Sequence, residues 1–200
     1  VDYGVGNIQA FVTMFKRLGL PAERAHTPAE LVGATRLILP GVGTFDRAMQ
    51  LLNQSGMRES LESMVLGQQV PVLGVCVGMQ MLASGSDEGV LPGLNWVPGR
   101  VRAFASTPEA AQLPMPHMGW NELKFKRGAK LFSGFDPQPH FYFLHSYYFD
   151  CDDKAHLVAT ATYGQKFDCV VSKGHIHGVQ CHPEKSHQFG AKLLKNFAEL

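Results

Sequence analysis

No run of basic residues, no long apolar stretch and no close pair of cysteines occurs in this 200-residue chain, and each absence removes a class of function. Eighteen Lys and Arg against seventeen Asp and Glu leave a formal charge of +1, without the clustered cations that neutralise a line of phosphates. Nucleic acid is therefore not expected as a partner. The apolar segments fall far short of the roughly 20 residues that span a bilayer, and the N-terminus has no basic segment followed by an apolar core. These features predict a soluble, cytosolic protein with no membrane partner. Cys76, Cys151, Cys169 and Cys181 are widely spaced, with no CxxC pair, which argues against a disulfide framework or a zinc knuckle. His175 and His177 alternate on a strand-like run, but no third ligand follows at metal-binding spacing. No metal site and no cofactor is expected.

What is present suits one domain of 45% hydrophobic residues with a sizeable core. Val1-Asp2-Tyr3 reads as part of a strand. After the glycine-rich turn YGVGN, Ile8, Phe11, Val12, Phe15 and Leu18 recur at helical spacing until Gly19 and Pro21 stop them. A short helix over Pro28 to Val32 precedes an apolar strand over Arg36 to Leu39, ended by Pro40. Thr44 is placed to cap a helix reaching Leu52, a second helix covers Met57 to Leu66, and Val70 to Val75 forms the next strand. Apolar strands alternating with helices predict an open, mostly parallel twisted sheet with helices on both faces. Beyond Gly89 the texture changes to Pro- and Gly-rich loops and strand-like segments, predicting an antiparallel region in the C-terminal half. In it, Ala155 to Tyr163 and Phe167 to Ser172 form a hairpin around Gly164-Gln165-Lys166. A last helix presents Phe189, Leu193, Leu194 and Phe197 on one face.

Three motifs carry chemistry. Gly74-Val75-Cys76-Val77-Gly78 has the form of a nucleophile elbow, a tight strand-to-helix turn whose glycines avoid a clash. Cys76 would sit at a helix N-terminus that favours a thiolate, with the Val77 N–H facing an oxyanion. Pro40-Gly41-Val42-Gly43 follows the preceding strand, and ligands bind at this carboxyl edge in open α/β sheets; its backbone N–H groups suit a developing oxyanion. His182-Pro183-Glu184 ends a strand-like run, so residues i and i+2 share a face. A histidine backed by a carboxylate supplies a base for a cysteine nucleophile. Each motif alone also fits a plain structural role: a core cysteine, an ordinary turn, a salt-bridged surface histidine. Cys151, Cys169 and Cys181 read as core residues.

Together, GVCVGMQ, PGVG and GVQCHPEKS resemble class I, triad-type, glutamine amidotransferase domains. DYGVGN, LPGVGTFDRAM, PHMGWN, FYFLHSYYF and CHPEKS narrow the resemblance to the glutaminase subunits of imidazole glycerol phosphate synthases, and it runs along the whole chain as a single amidotransferase domain. It implies that Cys76 attacks the side-chain amide of L-glutamine, His182 acts as base and then acid, and Glu184 orients His182. It also implies an oxyanion hole from Val77 with Val42 and Gly43, completed by a peptide reorientation. Gly41, Gln80, Ser146 and Tyr147 match substrate-binding positions, and Asn7, Trp120, Tyr142 and Lys185 match positions facing a partner. That partner is a (β/α)8-barrel cyclase subunit that receives the ammonia for a phosphoribulosyl substrate in histidine biosynthesis. The triad does not distinguish this acceptor from a sugar amidotransferase of surface polysaccharide synthesis, and a stand-alone cysteine hydrolase or a non-catalytic subunit shares the same fold.

Overall fold

The computed structural model describes residues 1–200. The first helix, α1 (Ile8–Arg17), is capped by the Asn7 side chain, which accepts the Ala10 N–H at 3.3 Å, and buries Phe11 and Phe15. The segment Pro28–Leu31 is a 3-10 turn. Strand β1 (Leu37–Gly41) runs through Pro40 rather than ending at it. This departs from the expected stop, because β1 pairs only with the following strand among the named strands and a proline lacking an N–H is tolerated on such an edge. Val1 to Tyr3 lie beside β1 without forming a strand; the Val1 amino group donates to the Ile38 carbonyl at 2.8 Å.

Helix α2 (Phe45–Gln54) has Thr44 at its N-cap position, yet the Thr44 side chain makes no capping bond. Glu88, distant in sequence, accepts the Phe45 N–H at 2.8 Å instead. Helix α3 (Arg58–Glu62) runs into a π-helical turn, Ser63–Gly67, so the expected continuous helix is interrupted by one wide turn. Strand β2 (Val72–Cys76) then leads directly into α4 (Val77–Gln80), only four residues long.

The C-terminal half contributes β3 (Gly99–Ala103), β4 (His117–Glu122), β5 (Lys124–Phe125), β6 (His140–His145), β7 (Tyr147–Cys151), β8 (Leu157–Tyr163), β9 (Gln165–Lys173), β10 (Ile176–Val179) and the final helix α5 (His187–Ala198). The hairpin β8–β9 turns on Gly164 alone, with Tyr163 paired to Gln165. Gln165 and Lys166 are thus strand residues rather than turn residues. Gly164 has φ +68°, and a Cβ there would meet the Glu109 carbonyl oxygen at 2.5 Å.

The main sheet has the order β1-β2-β10-β9-β7-β3, with β8 on β9 and β5 on β8. β1, β2 and β10 are parallel and the other neighbours antiparallel. The expected mixed α/β architecture is therefore present, with the antiparallel region grafted onto a parallel unit through the β9–β10 pairing. α1 packs with α5 and α2 with α4. β4 and β6 form a separate two-stranded sheet. All four cysteines are free and buried, and no helix is long and apolar enough to cross a membrane.

Candidate active site

β2 carries Cys76 to the carboxyl end of the parallel strands, and β1 ends beside it, Gly41 being the register partner of Cys76. Cys76 adopts φ +55°, ψ −114°, a conformation that costs a non-glycine residue about 1–3 kcal/mol. Tight packing holds it there. A Cβ on Gly74 would lie 2.6 Å from the Gly78 carbonyl oxygen, and one on Gly78 would overlap the Leu39 carbonyl oxygen. The two glycines let the elbow close against β1, as the sequence pattern predicts.

β10 lies beside β2 with Val179 opposite Val75, so the chain leaving β10 is brought to the elbow. His182 is pinned there by its backbone N–H, which donates to the Tyr142 carbonyl at 2.8 Å. Ser186 adds a brace: its hydroxyl donates to the His182 carbonyl at 2.6 Å and accepts the Tyr142 N–H at 3.0 Å. His182 Nδ1 stands 2.8 Å from Glu184 Oε1, with both side chains almost fully buried. A carboxylate there assigns the proton to Nδ1 and leaves Nε2 for the sulfur. Burial pulls the His182 pKa down, but the hydrogen bonds and charges of Cys76 and Glu184 outweigh it and raise the imidazole well above the ordinary histidine value. Glu184 Oε2 is buried without a protein partner, which concentrates that carboxylate's hydrogen bonding on His182.

The end of β1 lies over the start of α4: a Cβ on Gly41 would sit 2.5 Å from the Gly78 nitrogen. Val42 and Gly43 follow on the exposed side, Gly43 at φ +88°. Val77, buried, opens α4, where first-turn N–H groups lack intrahelical acceptors. With α4 four residues long, the expected helix-dipole support for a thiolate is small, since the macrodipole needs a run of aligned peptides.

Gln80 is buried and engaged: its Nε2 donates to the Tyr147 carbonyl and to Gln180 Oε1, each at 3.1 Å. Ser146 and Tyr147, half-buried, lie at the β6–β7 junction, and β6 approaches the nucleophile where the Cys76 thiol faces the Leu144 carbonyl at 3.9 Å. Of the residues expected to face a partner, Trp120, Tyr142 and Lys185 form one surface cluster. Trp120 meets Tyr142 at 6.2 Å and stacks on His187 at 5.3 Å, and the Lys185 ammonium stands 5.7 Å from the Tyr142 ring centre. Met118, two residues before Trp120 on β4, is 65% exposed and extends the apolar face. Asn7 is exposed at the start of α1, where its side chain caps the helix through the Ala10 N–H.

Several residues of the site escape sequence reasoning. Gln180 Nε2 reaches Cys76 Sγ at 3.7 Å; the alternation that pairs His182 with Glu184 extends back two residues to Gln180 and is its one sequence signal. Tyr3 donates its hydroxyl to the Pro40 carbonyl at 2.7 Å, anchoring the end of β1 that leads into the glycine loop. His117 and His145, 28 residues apart, share a 3.0 Å hydrogen bond, which no local pattern announces. Neither His175 nor His177 belongs to a cluster able to hold a metal ion; they bond to the Val65 carbonyl and the Ser172 hydroxyl. A cavity of about 490 Å³ is lined by Ile8, Phe11, Val12, Phe15 and Leu31 and contains none of the triad.

The model of the glutamine amidotransferase class-I family matches residues 1–200. The chain is 58% identical to the imidazole glycerol phosphate synthase subunit HisH of Bdellovibrio bacteriovorus, over 100% of this chain and 98% of that protein. It is 46% identical to the protein of the same name from Leptospira interrogans, with the same coverage. Among solved structures, a glutamine amidotransferase superposes with a TM-score of 0.74 at 20% identity, over 98% of this chain and 94% of that one. PurLQS from Thermotoga maritima superposes with a TM-score of 0.70 at 14% identity, over 100% and 95%; both likenesses concern the fold. With a family match along its whole length and relatives this similar, the chain belongs to the class-I glutamine amidotransferases.

Proposed function

We propose that this protein is the glutaminase subunit of an imidazole glycerol phosphate synthase, hydrolysing L-glutamine through Cys76, His182 and Glu184 and passing the ammonia to a (β/α)8-barrel cyclase. The observation that carries the reading is His182, bonded to buried Glu184 at 2.8 Å and coupled to the elbow cysteine. A raised imidazole beside a thiol favours a thiolate–imidazolium pair. The thiolate attacks the amide carbon, forming a C–S bond, and His182 gives its proton to the departing nitrogen, so that ammonia leaves and a γ-glutamyl thioester remains. Water then attacks the thioester, His182 takes its proton, the sulfur leaves with the bonding electron pair, and glutamate is released. The Val77 N–H, with Val42 and Gly43 of the loop after β1, would hold the oxyanion of both tetrahedral species. Gln80 would use its carbonyl oxygen for the substrate's ammonium group, both its N–H groups being spent inside the protein.

The exposed Met118 and Trp120 with Tyr142 and Lys185 suit a partner that seals the site; sealing keeps ammonia from protonation and loss. The relatives named above as synthase subunits favour the histidine-pathway acceptor. The test is glutamate release by the chain alone and with its cyclase, together with Cys76→Ala. Activity that is low alone, rises with the ligand-loaded cyclase and vanishes in Cys76→Ala supports the proposal. Activity surviving Cys76→Ala, or stimulation by a sugar amidotransferase and not by the cyclase, overturns it.

A further inference from the structure

The short α4 leaves open what holds Cys76 as a thiolate besides His182. Around the sulfur, the Leu144 carbonyl at 3.9 Å suits a thiol that donates but not an anion. The Tyr3 hydroxyl proton is spent on the Pro40 carbonyl. The Gln180 amide, 3.7 Å away, is the remaining side-chain donor.

Which end of that amide faces the sulfur follows from its neighbours. The Tyr147 carbonyl can only accept, so Gln80 must turn its NH2 group toward it. The second proton on the same nitrogen points at Gln180, so the Gln180 atom 3.1 Å away must be oxygen. Gln180 therefore presents its own NH2 group to Cys76. Gln180 is wholly buried and Gln80 nearly so, and burying two amides is unfavourable unless their hydrogen bonds are made.

We propose that Gln180, oriented by Gln80, is a further catalytic residue: its side-chain N–H donates to the Cys76 sulfur and stabilises the thiolate both before attack and as the leaving group in deacylation. In the second step the C–S bond breaks, the electron pair goes to sulfur, and the Gln180 N–H meets the charge as it forms. The assignment deepens the glutaminase reading of this site and rests on it.

The experiment follows the ultraviolet absorbance of the thiolate against pH, taken as the difference between each protein and its Cys76→Ser counterpart. The parent is compared with Gln180→Leu, Gln180→Glu and Gln80→Leu. His182 and Tyr3 near the sulfur, Cys181 between Gln180 and His182 in the chain, and Glu184 behind His182 are retained in all of them. Loss of one hydrogen bond to a charged atom moves the midpoint of the Gln180→Leu profile upward by about one pH unit. Gln180→Glu, which keeps the shape and turns a carboxylate to the sulfur, moves it further. Gln80→Leu, which frees the Gln180 amide to turn, moves it up by less. A purely structural glutamine lowers the melting temperature and leaves the midpoint in place, and an unmoved midpoint in the near-isosteric Gln180→Glu overturns the proposal even if the leucine variant does not fold. The readout needs no glutamine, so an inactive parent with shifted variants would count against the glutaminase reading alone, whereas an active parent with unshifted variants would count against Gln180 alone.

Discussion

The buried pair His117–His145 makes a quantitative prediction about acid. His145 Nδ1 lies 2.8 Å from the Tyr147 carbonyl and must donate to it, so its Nε2 is an acceptor. His117 Nδ1 donates to that atom at 3.0 Å, and the amide of Asn121 donates to His117 Nε2 at 3.2 Å. Each ring is thus neutral with a single defined tautomer, and a second proton on either would break a bond of the chain. Burial, reinforced by the charges of His117 and His182 against the bond to Tyr147, lowers the His145 pKa to about 3, and burial lowers that of His117 to about 4. Both folded values lie below the unfolded value of 6.5. The unfolded chain therefore binds more protons, and stability falls as pH drops below 6.5. At 1.36 kcal/mol per unit, His145 alone removes about 2 kcal/mol between pH 6.5 and 5, a large part of a typical folding free energy of about 5–15 kcal/mol. His182, with its pKa raised, contributes in the opposite sense: its stabilisation is complete below 6.5 and is lost only as pH rises through its folded value. Comparing the parent with His145→Gln isolates the histidine term, because the amide can retain both bonds and does not titrate. Urea unfolding should find the variant less stable near neutrality by about 1 kcal/mol, with the two curves converging or crossing at pH 5. A difference independent of pH would refute the assignment of His145 as a buried neutral ring.

Three further outcomes follow from the elbow and the triad. Gly78→Ala places a methyl group on the Leu39 backbone carbonyl, a clash that rigid neighbours cannot relieve; overpacking of about 3 kcal/mol or more is expected in thermal unfolding, and a change near zero would contradict the packing of the elbow on β1. Because Cys76 holds φ +55°, Cys76→Gly should be more stable than Cys76→Ala by about 1 kcal/mol, both being inactive; equal denaturation midpoints would remove the case for strain. Glu184→Gln withdraws a charge that raises His182, so glutaminase activity should fall by about 10²-fold or more, and an unchanged rate would argue against Glu184 as the orienting group.

Much of the fold was legible because its signals are local. The periodicity of Phe11 and Phe15 marks α1, and the apolar run ending at Cys76 marks β2. The elements that departed from expectation did so through contacts between distant residues. Pro40 remains in β1 because that strand lies at an edge, and α2 is capped by Glu88 rather than Thr44 because the loop carrying Glu88 folds back over it. Gln165 joins β9 because Gly164 alone can make the turn. At the site, the elbow glycines and the His182–Glu184 spacing were readable, since both follow from backbone geometry over two to four residues. Gln180 lies on the same alternation, but nothing local distinguishes a buried glutamine that touches sulfur from one that fills a strand.

The sequence by itself determined the elements, their periodicities and the glycines that permit the elbow, because sterics and hydrophobic alternation act over a few residues. It also carried, in residue type and spacing, the chemistry that a cysteine, a histidine and a carboxylate can perform. Only the tertiary structure decided that β10 inserts parallel to β2 and brings His182 to a cysteine more than 100 residues earlier. It alone aligned Gln80, Gln180 and Cys76, and buried His117 against His145. Those outcomes depend on which strands pair and on which polar groups are left without water, and both are properties of the packed molecule as a whole.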